Sequence, residues 1–131
     1  SILLGSKTHI AKALRIRKLF GGAMRQAGFL ASAGIYALDN HIVRLAEDHL
    51  KAKEIGAVLE AVSYVKEVAL IETNIVIFYV HDSIGADNFI QKMKDKNILL
   101  TPMGEGRIRI VTHLDYTKEM HEILLKELMS F

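Results

Sequence analysis

Asn74-Ile-Val-Ile-Phe-Tyr-Val80 is the segment that indicates the fold class, because a mainly helical first half of the chain gives way here to strands. The segment is rich in β-branched and aromatic residues, which favour a pleated, half-buried strand. The next segment, Ala86–Lys96, has apolar residues at helical spacing, and Asn97 is placed to end it in a left-handed conformation. We therefore predict a strand followed by a helix.

Two further strands and a last helix are predicted beyond Asn97. Ile98–Thr101 is predicted as a strand, Gly104-Glu105-Gly106 as a turn, and Arg107–Thr112 as an alternating strand that completes a hairpin. Thr117 is suited to cap the last helix at its N-terminus. The residues expected on the core face of that helix are Met120, Ile123, Leu124 and Leu128. The second half is thus predicted to run β–α–β–β–α.

The first half is predicted to be helical apart from a short strand at Ser1–Leu4. Lys7–Phe20 has the pattern of an amphipathic helix that stops at Gly21-Gly22. Residues 27–38 are apolar or small on every face, which predicts a helix buried all round, before a turn or helix cap at Asp39-Asn40. A third helix is predicted over residues 41–62. Its expected core residues are Val43, Ala46, Leu50, Val58, Leu59 and Val62.

Composition excludes several classes of protein. The chain has 131 residues, half of them hydrophobic, with one proline and no cysteine, which fits one ordinary domain or part of a larger one. A disordered tail, a disulfide scaffold and a thiol nucleophile are excluded. The six histidines lack the spacing of metal ligands, and the chain has no run of 18 apolar residues. We expect a cytoplasmic protein, or a piece of one, with no metal site and no membrane span.

Charge is distributed unevenly. Residues 1–38 carry six of the 17 basic side chains and none of the 15 acidic ones, so the remaining 11 basic residues leave the rest of the chain at −4. The six are Lys7, Lys12, Arg15, Arg17, Lys18 and Arg25. Such asymmetry predicts an anionic partner, whether nucleic acid, a phosphate-bearing cofactor or an acidic protein surface. The alternative is a solvated basic helix face. Arg17 lies within the apolar arc and is expected to be paired or to lie at an interface.

Two segments are candidates for a functional site. The loop Gly21–Gln26 delivers Arg25 directly before a helix, and glycines there would let the backbone approach an anion at the helix N-terminus. In Arg107–His113, period-two alternation places Arg109 half-buried in mid-strand. A planar guanidinium in such a position suits a carboxylate ligand, whereas a cross-strand salt bridge to Asp or Glu is the structural alternative. The residues alone do not choose between these.

Four motifs, at residues 15–28, 44–49, 72–76 and 107–115, occur in an order and at a spacing that resemble the L-threonine aldolases, which are pyridoxal-phosphate (PLP) enzymes with the aspartate-aminotransferase-like fold. Ala23 departs from the family, which usually has a third glycine there. The resemblance implies the α/β fold of a C-terminal domain of a fold type I PLP enzyme, with long N-terminal helices before a small sheet that has helices on one face. Residues 1–38 would end the large cofactor domain. Residues 39–131 would form the interdomain helix and the small α+β domain.

The resemblance also implies site residues. Arg109 would bind the α-carboxylate of a small amino-acid substrate. Lys18 and Arg25 would lie near the cofactor phosphate, reaching into a neighbouring subunit of a homotetramer. The lysine that forms the Schiff base would precede Ser1, and Lys7 aligns elsewhere. The complete enzyme would therefore cleave L-threonine or L-allo-threonine to glycine and acetaldehyde, whereas this chain, without its N-terminal half, has no catalytic residue and is predicted to be inactive.

Two other interpretations remain. The chain could be a non-enzymatic small α/β module that binds an anionic partner through basic residues 7–25. The helix at 27–38 is too apolar to be exposed, which argues against such a stand-alone module, and the basic residues are not interleaved with aromatic ones as in single-strand nucleic-acid binders. Alternatively, a split enzyme could receive the lysine half from a separate chain.

Overall fold

The computed structural model describes residues 2–131, and the chain divides into two compact units, Ser1–His41 and Ile42–Phe131. The second helix continues through Asn40, one residue before the end of the first unit. The His41 amide donates to the Ala37 carbonyl at 2.8 Å and so closes the last helical turn. Asp39 and Asn40 are both helical, so a turn at these residues is wrong, and the helix end that they signalled follows directly, with His41 as the C-cap.

The first unit consists of two helices, α1 (Lys7–Leu19) and α2 (Gly28–Asn40). Ser6 caps α1, since its side chain accepts from the His9 amide at 3.3 Å. The strand predicted at Ser1–Leu4 is not found in Ile2–Leu4, and Ser1 lies outside the described residues. A strand needs a partner for its backbone groups, and the described residues of this unit contain none.

Helix α2 forms as predicted, but its predicted burial is wrong for this chain. None of its residues is buried, and Phe29 and Leu30 are 80% and 64% exposed. The physical reason is that two helices supply too little protein to cover an element that is apolar on every side. The first unit therefore presents a continuous apolar helix surface.

The second unit is built on a four-stranded antiparallel sheet in the order β1-β2-β4-β3. Its strands are β1 (Val65–Val68), β2 (Ile75–Val80), β3 (Thr101–Pro102) and β4 (Arg107–Val111). The sequence pattern predicted β2 and β4 but missed β1, an edge strand. The strand expected from Ile98 begins only at Thr101, because the Ile98 amide still donates to the Met93 carbonyl and belongs to the preceding helix end.

Three helices cover one face of this sheet: α3 (Leu45–Ala61), α4 (Ala86–Asp95) and α5 (Lys118–Met129). This confirms the predicted α/β class with helices on one face. The buried core residues are Ala52, Ile55, Leu59, Val76, Phe78, Val80, Phe89, Met93, Ile108, Ile110, Leu124 and Leu128. The opposite face, which we call the outer face, carries Ile75, Ile77, Tyr79, Arg107, Arg109 and Val111.

The predicted core faces of α3 and α5 are partly wrong. On α3, Val43 precedes the helix and is 90% exposed, whereas Asp48 and Ile55 are buried. On α5, Met120 and Ile123 are exposed, whereas His121 is buried beside Leu124 and Leu128. One reason is that helical spacing of apolar residues leaves polar residues to solvent, although Asp48 and His121 are buried. The predicted Thr117 cap and the left-handed Asn97, with φ of 62°, are confirmed.

Candidate functional site

Arg109 lies at the centre of the outer face. On β4 it is paired with Ile77 of β2 on one side and with Thr101 of β3 on the other. Its strand neighbours Ile108 and Ile110 point into the core, so the alternation turns Arg109 to the outer face. The residue is half-buried, as the sequence pattern predicted.

The guanidinium of Arg109 has an unused donor. Its Nε is buried and has no hydrogen-bond partner among the described residues. The salt bridges found within residues 2–131 do not include Arg109, so the cross-strand ion pair that was the structural alternative is not found there. Leaving a buried donor unsatisfied costs about 1–3 kcal/mol, and more when the group is charged. A carboxylate would satisfy the donor through a bidentate interaction.

A second arginine, Arg107, lies on the same face two residues earlier and is already paired. Its Nη2 is 3.0 Å from Glu105 Oε2. Glu105 belongs to the predicted turn, where Gly104, Glu105 and Gly106 all have positive φ, of 73°, 51° and 76°. Arg107 is therefore directed toward the turn, whereas Arg109 has no ion-pair partner within residues 2–131.

A buried network holds the end of β4. Thr112 Oγ1 donates to the Asp48 carbonyl at 2.7 Å, and Asn74 Nδ2 donates to the Thr112 carbonyl at 2.6 Å. Arg44 binds both carboxylate oxygens of Asp48, at 2.7 and 3.0 Å, and this bond raises the pKa of Arg44. Sequence reasoning missed the network, although the four-residue spacing of Arg44 and Asp48 was a signal for it. The network fixes the strand that carries Arg109.

A second network joins α3 to α5 on the helical side of the sheet. His121 Nε2 lies 2.7 Å from Glu54 Oε2, and His121 Nδ1 lies 3.1 Å from the Tyr116 hydroxyl. Lys51 Nζ donates to the Tyr116 carbonyl at 2.6 Å. Burial raises the pKa of Tyr116. Both ring nitrogens of His121 thus have hydrogen-bond partners. The role of this network is structural, because it links α3 to α5.

The loop between α1 and α2 has a structural reason for its two glycines. The amides of Gly21 and Gly22 donate to the carbonyls of Lys18 and Arg17, at 3.1 and 2.8 Å, in the manner of a Schellman motif. Gly21 has a φ of 76°, and a Cβ on Gly22 would lie 3.2 Å from the Arg17 carbonyl oxygen. Arg17 itself is exposed. Its predicted pairing is not found among the described residues.

Lys18 lies near the end of α1 and Arg25 lies within this loop, and both are exposed. Neither takes part in a salt bridge within the part of the chain that the structure describes. Lys18 lies in the last turn of α1, where a cation also interacts well with the helix dipole. The N-cap residue of α2, Ala27, offers no side-chain hydrogen bond to the helix. Cations without counter-charges fit a phosphate dianion, but the assignment of Lys18 and Arg25 stays a prediction.

Among residues 2–131, no group of three or more His, Cys, Asp or Glu side chains is arranged to hold a metal ion. In the same part of the chain, no helix is both long and apolar enough to cross a membrane.

Solved structures share this fold. A complex of the cystine C–S lyase C-DES with its reaction product, cysteine persulfide, matches 80% of this chain and 29% of its own chain, with a TM-score of 0.62 and 20% identity. A C-DES mutant with glycine covalently linked to its PLP cofactor matches equally well, with a TM-score of 0.62. The chain thus has a fold found in fold type I PLP enzymes.

Sequence comparison gives the family. The profile of the beta-eliminating lyases matches residues 1–83, and the chain belongs to that family. The low specificity L-threonine aldolase of Escherichia coli K12 is 39% identical over 119 residues, which are 91% of this chain and 34% of that protein. The probable low-specificity L-threonine aldolase 2 of Arabidopsis thaliana is 36% identical, over 86% of this chain and 33% of that protein. The chain spans about a third of the length of these relatives.

Proposed function

We propose that this chain is the part of a PLP-dependent lyase that binds the carboxylate of a small amino-acid substrate. The observation that carries the proposal is the buried Nε of Arg109 at the centre of the outer face, which has no hydrogen-bond partner in the part of the chain that the structure describes. The planar guanidinium would bind and orient the α-carboxylate through two parallel hydrogen bonds. A lysine at the same position could not form this bidentate interaction. The substrate class is a β-hydroxy-α-amino acid, with L-threonine and L-allo-threonine as the proposed substrates.

PLP is the proposed cofactor, and Lys18 and Arg25 are the residues proposed to hold its phosphate. Their support is chemical, because they are exposed cations in a segment of 38 residues that contains no acidic side chain. When bound, PLP supplies an electron sink for cleavage next to the α-carbon of an amino acid. Arg109 would contribute by fixing the orientation of the substrate, and the products would be glycine and acetaldehyde.

The catalytic lysine is proposed to come from protein outside these 131 residues, so this chain alone is proposed to be inactive. The support is that the chain spans about a third of its relatives and that Lys7 starts the exposed helix α1. The apolar surface of α2 also supports a covering partner, since large exposed apolar patches mark interaction sites. A homotetramer in the cytoplasm remains the prediction for the complete enzyme.

Arg109→Lys in the complete enzyme tests the carboxylate role. We expect the KM for L-threonine to rise by about tenfold or more, since a charge-assisted hydrogen bond contributes about 1.5–3 kcal/mol, with the absorbance of bound PLP unchanged. Arg15→Lys, the same exchange at an exposed position of α1, is the matched control and should leave KM unchanged. An unchanged KM in the Arg109 variant would contradict the proposal.

The inactivity of the chain is tested separately. The purified chain, mixed with PLP and L-threonine, should release no acetaldehyde over the uncatalysed background. Sustained release would disprove the proposed division of the site. The non-enzymatic alternative, binding of an anionic macromolecule through residues 7–25, predicts instead an affinity for generic nucleic acid that falls steeply with salt.

A further inference from the structure

The turn before β4 holds a glutamate in an unusual conformation. Glu105 has a φ of 51° between two glycines whose φ values are also positive. For a residue with a side chain, the left-handed region costs about 1–2 kcal/mol. The Glu105 side chain is 83% exposed, so core packing does not account for its position. Its polar contact is the ion pair with Arg107.

The same turn contacts both the backbone and the side chain of Arg107. The Arg107 amide donates to the Gly104 carbonyl at 2.9 Å, and its Nε approaches the same oxygen at 3.5 Å. Its Nη2 meets the Glu105 carboxylate at 3.0 Å. Residues 104 and 105 therefore contact the backbone amide, the Nε and the Nη2 of Arg107.

Arg107 and Arg109 are neighbours on the outer face. Residues two apart on a strand are separated by about 7 Å along it, a distance that one small ligand with two carboxylates can span. We infer that Glu105 is a specificity-determining residue: by holding Arg107, it leaves Arg109 as the guanidinium of β4 that is open to a ligand. The outer face then selects an amino acid with one carboxylate over one that carries a second carboxylate in its side chain.

This inference rests on the proposed carboxylate role of Arg109, and it adds the substrate class that the site rejects. Without Glu105, the Nη2 of Arg107 would lose its partner and the charge of the guanidinium would be uncompensated. A ligand with a second carboxylate would then gain a second cationic partner, and a ligand with one would gain little. Because exposed ion pairs contribute about 0.2–1 kcal/mol each, the discrimination is a modest factor rather than an absolute barrier.

L-Asparagine and L-aspartate are suitable probes, because they match in shape and differ in one charge. Binding to the chain is followed by NMR through the arginine Nε–Hε signals at low ionic strength. In Glu105→Gln, affinity for L-aspartate should rise by about two- to fivefold, the factor that 0.4–1 kcal/mol represents, whereas affinity for L-asparagine should stay unchanged. The double variant Glu105→Gln with Arg107→Gln should lose that gain.

Glu122→Gln is the matched control, since it removes the same charge from an exposed ion pair with Lys118 on α5. A gain for L-aspartate of equal size in this variant would reduce the effect to net charge and overturn the inference. So would an unchanged affinity in Glu105→Gln. Either result would leave the proposed function standing, provided that L-asparagine still shifts the Arg109 signal. If neither ligand shifts the Arg109 signal in the unmodified chain, the proposed function fails and the inference fails with it.

Discussion

Replacing Thr112 by valine is expected to lower the free energy of unfolding of the second unit by about 1 kcal/mol, because one buried hydrogen bond is lost. Thr112 is fully buried, and its Oγ1 donates to the Asp48 carbonyl at 2.7 Å, which ties β4 to α3. Valine keeps the shape of threonine but cannot donate. The strand concerned is the one that carries Arg109, so this bond bears on the site as well as on stability.

The magnitude follows from the partners that remain. Asp48 lies within α3, so its carbonyl keeps an intrahelical hydrogen bond and is not left wholly unsatisfied. The Thr112 amide keeps its bond to the Asn74 carbonyl at 3.0 Å. The loss is therefore close to the net value of one bond, about 0.5–1.5 kcal/mol, and not the larger penalty of an orphaned group. For a unit of this size, 1 kcal/mol corresponds to a fall in Tm of about 4–8 °C.

Urea unfolding followed by circular dichroism measures this change, with hydrogen exchange of the β4 amides as a local readout. Thr8→Val, the same exchange at an exposed position of α1, should change stability by less than about 0.5 kcal/mol. The reasoning would be refuted if Thr112→Val were as stable as the unmodified chain, or if both variants lost equal stability. The first outcome would mean that shape alone, and not the hydroxyl, attaches β4 to α3.

Two further outcomes are expected. Gly22→Ala should loosen the C-terminal end of α1, because the new Cβ would lie 3.2 Å from the Arg17 carbonyl oxygen; faster exchange of the amides that close this helix end would show it, and unchanged exchange would contradict it. Burial raises the pKa of Tyr64 from 10.0 to about 12. Since the folded chain favours the neutral phenol, that stability is present below pH 10 and is lost as pH rises through 12, so Tyr64→Phe should flatten this part of the stability profile.

Sequence patterns predicted the elements whose signal is local. The alternation of β4 placed Arg109 on one face and Ile108 and Ile110 on the other, and the structure agrees. The Thr117 cap was also readable, because a capping side chain acts within three residues. In contrast, β1 was missed because its inner residues, Lys66 and Glu67, are exposed at an edge of the sheet.

Two of the errors in the predicted core concern polar residues, Asp48 and His121, which are buried because other groups of the fold satisfy them. His121 is buried against Glu54, which is 67 residues away, and no periodicity of α5 carries that information. The Asp48 carbonyl likewise meets Thr112, 64 residues away. Helical spacing therefore predicted the helices, but it did not predict that Asp48 and His121 lie on their buried faces.

The same contrast between satisfied and unsatisfied polar groups supports the assignment of the site. Asp48 and His121 are buried, and each is fully matched by neighbours within the fold. Arg109 Nε is the one buried side-chain nitrogen or oxygen without a partner in residues 2–131. Folded proteins satisfy nearly all such groups, so an exception calls for a reason. Since the fold does match its other buried polar side chains, a carboxylate from a ligand is the reason that fits both the chemistry of the guanidinium and its place at the centre of the outer face.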